Sequence, residues 1–166
     1  DSNIVYGVKG VFMRILVISD SHGNTRNIER AVESQPEANI IIHLGDGADD
    51  IVDLEFVYRD KQFYQVAGNC DWGSSLPLEG ELKVADKTIF FVHGHEYRVK
   101  TNLQQIKMEA RKRNADIVLF GHTHLPITEY DDELYLLNPG SLQYADGTYG
   151  IIDITDAGIS VQIIYV

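Results

Sequence analysis

Two rhythms of apolar positions run through the chain. Short continuous runs, rich in β-branched and aromatic residues, recur at 15–18, 40–44, 63–67, 89–92 and 117–120, and runs of this length and texture read as buried strands. Between them the spacing turns helical. Ile28, Ala31 and Val32 follow a capping Asn24 and stop before Pro36, and Ile51, Leu54 and Tyr58 follow Asp49 and Asp50. Two strand–helix–strand passes of this kind predict a parallel sheet. Residues 82–84 and 87–92, around Ala85-Asp86, read as a hairpin, and Thr101 with Gln104 forms a capping-box pattern ahead of Leu103, Ile106 and Ala110. After His124 the texture is all-β, with runs at 127–130, 134–137, 149–154 and 159–166 separated by turn residues, which predicts a meander. The expected architecture is two packed sheets, one largely parallel and carrying the functional positions, with helices outside.

Each early run gives way to a chemically distinctive segment. The first ends in Ser19-Asp20-Ser21-His22-Gly23, the second in Gly45-Asp46, the third in Gly68-Asn69-Cys70-Asp71, the fourth in His93-Gly94-His95 and the fifth in Gly121-His122-Thr123-His124. Strand ends in α/β proteins converge on one edge of a sheet, where sites form. All six histidines fall in or just before these strand ends. Asp20, His22, Asp46, Asn69, His93, His122 and His124 therefore form a candidate ligand set of two carboxylates, one amide oxygen and four imidazoles. That is too many donors for one tetrahedral ion and suits two ions sharing a ligand. Two divalent ions would leave a net positive charge over the two aspartates, drawing in a phosphate and acidifying a bound water, with the ions about 3.5–4 Å apart.

Composition narrows the function classes. A chain of 166 residues fits one domain that buries roughly 70% of its unfolded surface. A formal charge of −11 argues against a nucleic-acid surface but not against a small phosphate substrate. The single cysteine excludes an internal disulfide framework, and no apolar run has transmembrane length, so a cytoplasmic protein without membrane contact is expected. Residues 1–12 precede Met13-Arg14 and are expected to be a vector-derived leader or an N-terminal extension, leaving 13–166 as a single domain.

In order, the Asp-x-His, Gly-Asp, Gly-Asn, strand-end His and Gly-His-x-His motifs resemble those of the calcineurin-like metallophosphoesterases, and the resemblance covers 13–166. Length and the Gly-Asn-Cys-Asp variant are most similar to the small prokaryotic phosphodiesterase branch. The resemblance implies an α/β fold, a four-layer α-β-β-α sandwich of two mixed sheets flanked by helices. It implies a first ion on Asp20, His22, Asp46 and His124, and a second on Asp46, Asn69, His93 and His122, with Asp46 bridging. The implied activity is hydrolysis of small phosphodiesters by a metal-bridging hydroxide. Manganese is the expected metal, and nickel, cobalt, iron and zinc also suit the donors.

One departure matters. The wider family follows Gly-Asn with a histidine, whereas this chain has Cys70, a poorer general acid at neutral pH, which favours diesters over monoesters with poor leaving groups. Asp46, Asn69, Cys70 and His95 are the catalytic candidates, His95 either facing the phosphate or sitting in a surface turn. His43 reads as a core or supporting histidine, Trp72 as a pocket wall or a loop anchor, and Asn138-Pro139-Gly140-Ser141 as turn chemistry. Two alternatives stand beside the phosphodiesterase: a non-catalytic scaffold of the same fold, as in a retromer subunit, and a nuclease, which the acidic balance disfavours. Whether the chain self-associates is left open.

Overall fold

The computed structural model describes residues 10–166, so expectations for 1–9 lie outside the described residues. The first strand, β1 (Phe12–Ile18), already includes Phe12, so the expected boundary after residue 12 falls inside an element. It is followed by α1 (Thr25–Ser34), β2 (Ala38–His43), α2 (Val52–Val57), β3 (Gln62–Gln65), β4 (Glu79–Val84) and β5 (Lys87–Val92). A single 3-10 turn at His95–Tyr97 leads to α3 (Gln104–Lys112), β6 (Ile117–Leu119), β7 (Ile127–Asp131), β8 (Leu134–Asn138), β9 (Thr148–Thr155) and β10 (Gly158–Tyr165).

The strands form two five-stranded mixed sheets, ordered β10-β9-β1-β2-β3 and β4-β5-β6-β8-β7. In the first, β1, β2 and β3 are parallel; in the second, β5, β6 and β8 are. The continuous apolar runs are continuous because both faces of these strands are buried. Ile15, Val17, Ile40 and Ile42 point into the space between the sheets and meet Ile89, Phe91, Ile117 and Leu119 from the other side. Leu16, Ile18 and Ile41 point outward onto Ile28, Ala31, Val32 and Leu54 of α1 and α2. Phe90, Val92, Val118 and Phe120 point outward onto Ile106 and Ala110 of α3. The result is the expected α-β-β-α sandwich.

Four local expectations are corrected. The ligand-bearing strand ends are shared between both sheets, β1, β2 and β3 in one and β5 and β6 in the other. The C-terminal strands do not form one meander: β7 and β8 complete the second sheet, while β9 and β10 return to the first beside β1. Thr101 does not cap α3, which starts after Leu103 without a side-chain cap, while the Asn102 side chain accepts from the Gln104 N–H at 3.0 Å. Nor do Asp49 and Asp50 cap α2, whose N-cap is Ile51; the Asp50 carboxylate is engaged elsewhere, by Ser21 and Gly23. The basic residues late in α3 are tied to the second sheet, with Arg111 donating to the carbonyls of Asp131 and Asp132 and Arg113 to Glu79.

Ile42 is wholly buried between the sheets on the strand that delivers Asp46. Ile42→Ala is expected to cost about 2–5 kcal/mol, seen as a lower urea midpoint with an unchanged denaturant slope.

Candidate metal centre

The five loops that leave β1, β2, β3, β5 and β6 meet at one end of the sandwich. Backbone bonds lace them together: the Asp20 N–H donates to Gly45 O at 3.0 Å, His22 N–H to Asp46 O at 3.0 Å and Gly121 N–H to His93 O at 2.8 Å. Asp20, His22, Asp46, His122 and His124 all have positive φ, between 44° and 68°. L-residues rarely adopt this conformation, at a cost of about 1–3 kcal/mol each, and it clusters where a site demands it. Here it turns each side chain back over the strand end. The glycines of the motifs have a matching reason. A Cβ on Gly68 would lie 2.1 Å from Asp46 Oδ1, and one on Gly121 would lie 2.2 Å from Ser19 Oγ. Both loops come too close to a neighbouring site residue to carry a side chain.

The seven candidate ligands converge. Asp20 is completely buried; its Oδ2 accepts from Ser19 Oγ at 2.5 Å and from the His122 N–H at 3.1 Å. Among the described residues Asp20 Oδ1 has no hydrogen-bond partner, and it faces His124 Nε2 at 3.2 Å, His22 Nε2 at 3.8 Å and His93 Nε2 at 3.9 Å. Asp46 has the same division: Oδ1 accepts the Cys70 N–H at 2.8 Å, while Oδ2 faces His93 Nε2 at 3.3 Å and His22 Nε2 at 3.7 Å. His93 Nε2 also lies 3.0 Å from Asn69 Oδ1. The His122 ring is 5.0 Å from that of His93, and the rings of His22 and His124 are 5.4 Å apart.

This packing sets the electrostatics. Burial works against the Asp46 carboxylate, but hydrogen bonds from His93 and from the Cys70 amide prevail and hold its pKa well below the usual range. Burial likewise works against the His93 imidazolium, and the Asp46 hydrogen bond with the charges of Asp20 and Asp46 outweighs it, so its pKa rises. His122 goes the other way: burial, then the nearby His93 and Lys100, lower it to about 4, leaving a neutral imidazole with a free lone pair at pH 7. Burial, followed by the charge of Asp46, raises the Cys70 pKa, which keeps it a neutral thiol.

A second set of residues holds the first in place. Asp71 accepts four backbone N–H groups, from Asp46 at 2.8 Å and Gly68 at 2.7 Å on one oxygen and from Gly47 and Ala48 at 3.0 Å on the other. His43, wholly buried, accepts the Gly45 N–H on Nδ1 at 3.1 Å, which puts its proton on Nε2, 2.9 Å from Ser21 Oγ; Ser21 in turn donates to Asp50 at 2.5 Å. His93 Nδ1 donates to Leu44 O at 2.7 Å and so presents Nε2 to the site. His124 Nδ1 meets the Tyr144 hydroxyl at 3.0 Å. Asn138 donates to Gly121 O at 3.0 Å and Thr123 Oγ1 at 2.9 Å, and Ser141 donates to Asp20 O at 2.7 Å, so the Asn-Pro-Gly-Ser turn also buttresses two ligand loops. Reading the sequence by motif found neither Asp71 nor Tyr144 as site residues. Asp71 closes the Gly-Asn-Cys-Asp motif and so had a signal; Tyr144 had none.

His95 starts the 3-10 turn with its ring 5.5 Å from that of His93 and 6.1 Å from that of His122. Among the described residues its buried Nδ1 has no hydrogen-bond partner. Cys70 is exposed, its sulfur within 4.8 Å of ligand atoms of His22 and Asp46. Beside it opens a cleft of about 710 Å³ that runs from His22 and Asp46 out to Trp72, which is 91% exposed. Trp72 is thus a wall of the cleft and is not packed among the described residues.

The sequence model of the calcineurin-like phosphoesterase superfamily domain matches residues 13–157. The chain belongs to that superfamily. Similar members include a probable metallophosphoesterase of Bacillus subtilis, 32% identical over 79% of this chain and 76% of that protein. A phosphodiesterase of Methanocaldococcus jannaschii is 29% identical over 85% and 93% of the two chains. The crystal structure of a conserved protein from Streptococcus pneumoniae superposes with a TM-score of 0.78 at 24% identity, covering 93% of this chain and 90% of that one. Vacuolar protein sorting 29 from Cryptosporidium parvum does so with 0.73 at 16% identity, covering 93% and 98%. Members of this superfamily work on phosphoester bonds with divalent metal ions, and the donors here fit such ions. A buried carboxylate oxygen without a proton donor, turned toward three imidazole nitrogens, is a costly arrangement that a cation relieves.

Two predictions come from the supporting residues. Asp71→Asn leaves at most half of the four N–H bonds and turns an NH₂ toward the other donors. It is expected to cost about 2–4 kcal/mol of stability and about 10–100-fold in Mn²⁺ affinity, read by urea unfolding and by metal titration. Burial holds the His43 pKa at about 4, below the unfolded value, so the unfolded chain takes up this proton first. Stability of the metal-stripped protein should therefore be lost as pH falls from about 6.5 to about 4, with His43 accounting for up to about 3 kcal/mol. That part of the slope should vanish in His43→Gln.

Proposed function

We propose that this protein is a phosphodiesterase that hydrolyses small phosphodiesters at a centre for two divalent ions, Asp20, His22, Asp46 and His124 holding one and Asp46, Asn69, His93 and His122 the other. The observation that carries this reading is the pair Asp20 and Asp46, each with one oxygen fixed by the fold and the other turned toward histidine nitrogens at the inner end of an open cleft. Bound there, divalent ions supply Lewis acidity toward phosphoryl oxygens and lower the pKa of water toward about 7.

The chain's own groups divide the remaining work. His93, its ring oriented by Leu44 O, and the neutral His122 ring stand side by side at the centre, and Asn69 reaches the same point from the loop after β3. His95 stands beside both rings and is the group placed to donate to a phosphoryl oxygen. Cys70, beside His22 and Asp46, is a weak acid, so departure of the leaving group depends on its own stability as an alkoxide or phenolate. That favours diesters with good leaving groups over monoesters. Manganese is the proposed ion, with nickel, cobalt, iron and zinc also compatible with mixed nitrogen and oxygen donors. The acidic balance and lone cysteine fit a small substrate in the reducing cytoplasm rather than nucleic acid. Among the described residues no helix is long and apolar enough to cross a membrane. A non-catalytic scaffold of the same fold is the second reading, and it predicts little hydrolysis even with saturating metal.

Metal-stripped protein reloaded with Mn²⁺ is expected to turn over bis-p-nitrophenyl phosphate faster than p-nitrophenyl phosphate. Asp46→Asn should lower bound metal toward one ion per chain or fewer and reduce turnover by at least about 100-fold. Metal stoichiometry and initial rates decide it, and a variant with unchanged turnover would overturn the scheme.

A further inference from the structure

The cleft beside the centre is chemically lopsided, and no ligand assigned above uses its outer end. Its described lining includes Asp46, Asp49, Asp50 and Asp71, with no lysine or arginine among them. The outer wall carries Trp72, the chain's one tryptophan, with 91% of its surface open. Packing does not account for it. The loop is held one residue earlier by the four N–H bonds to Asp71, so the indole projects from an anchored base. Its aromatic face is therefore open to whatever enters the cleft.

We infer that this outer end receives one arm of the diester and selects an arm ending in a cation, a quaternary ammonium alcohol being the fitting chemistry. The inference rests on the phosphodiesterase reading of the centre. Two ions on Asp20 and Asp46 make the inner end positive and suited to the phosphate. Asp49, Asp50 and Asp71 give the cleft wall around Trp72 its acidic character. A substrate with a phosphate at one end and an ammonium group at the other matches both potentials at once. Indole is the best aromatic partner for such a cation, and the nearby Ala48 and Leu76 offer apolar contact for its methyl groups. An arm bearing a further phosphate or a carboxylate meets the same field with the wrong sign. Trp72 and Asp49 are thus assigned as specificity residues.

Because Trp72 is the only tryptophan, its emission reports occupancy of the cleft without metal or turnover. Choline and its uncharged isostere 3,3-dimethylbutanol are titrated against the metal-stripped and the Mn²⁺-loaded protein. Choline is expected to give a saturable change with a Kd about 3- to 30-fold below that of the isostere, a margin that shrinks in Asp49→Asn. In parallel, kcat/KM for p-nitrophenyl phosphorylcholine should exceed that for the p-nitrophenyl 3,3-dimethylbutyl diester by a similar factor, and the ratio should fall toward one in Trp72→Ala. Equal affinities and a ratio of one in the wild type, with both diesters hydrolysed, overturn the cationic arm and leave the phosphodiesterase reading intact. A choline preference in emission with no diester turned over does the reverse: it supports the subsite and overturns the reading of the centre.

Discussion

The demand that shapes this end of the molecule is a carboxylate with no water around it. Asp20 is fully buried, and Oδ1 has no hydrogen-bond donor among the described residues. Left alone, such an atom would be strongly destabilising. The fold answers on one side with Ser19 and the His122 amide, which fix Oδ2. It answers on the other with imidazole nitrogens supplied from β1, β5 and the loop after β6. Delivering them requires loops that touch each other, hence glycine at 68 and 121 and left-handed backbone at the ligands themselves. Strain at these positions is sustained because every loop is hydrogen-bonded to another, and the two sheets behind them are rigid and dry.

Two sheets rather than one are what make the convergence work. Ligands on a single parallel sheet would stand in a row, spaced by the distance between strands. Here Asp20, Asp46 and Asn69 come from the first sheet, while His93, His122 and His124 come from the second. The inter-sheet core, Ile15, Val17, Ile40 and Ile42 against Ile89, Phe91, Ile117 and Leu119, sets the separation of the two rows. The bond from His93 Nδ1 to Leu44 O crosses that gap directly. Packing deep in the sandwich and ligand geometry at its end are therefore coupled.

Much of this was legible from the sequence because the strands are buried on both faces, which gives uninterrupted apolar runs, and because the ligands sit immediately after them. The α1 helix was legible for a related reason: Asn24 accepts the Asn27 N–H, and Ile28, Ala31 and Val32 pack on the sheet. The hidden features depend on partners distant along the chain. Pattern gives a hairpin's own pairing but not the sheet it joins, so β8 settling beside β6, and β9 beside β1, could not be read. The capping signals at Asp49-Asp50 and Thr101 were overridden, the first because Ser21 and Gly23 claim Asp50. Tyr144 and Ser141 reach the site through bonds to residues at least twenty positions away, His124 and Asp20, which leave no periodicity behind.

Four of the five aspartates around the site have the same chemistry and different tasks, and what each oxygen faces separates them. Asp71 has both oxygens filled by backbone N–H groups and binds the loops after β2 and β3 into one unit. Asp50 spends one oxygen on Ser21 and Gly23, and through Ser21 touches His43. Asp20 and Asp46 each keep one oxygen fixed and one turned to the histidines. Asp71, with both oxygens filled, steadies the loops, whereas Asp20 and Asp46 turn their second oxygens toward the histidines of the candidate centre. The distinction is invisible in residue identity, since all four are aspartates that come after strands, and it is written in which backbone amides the loops happen to point inward.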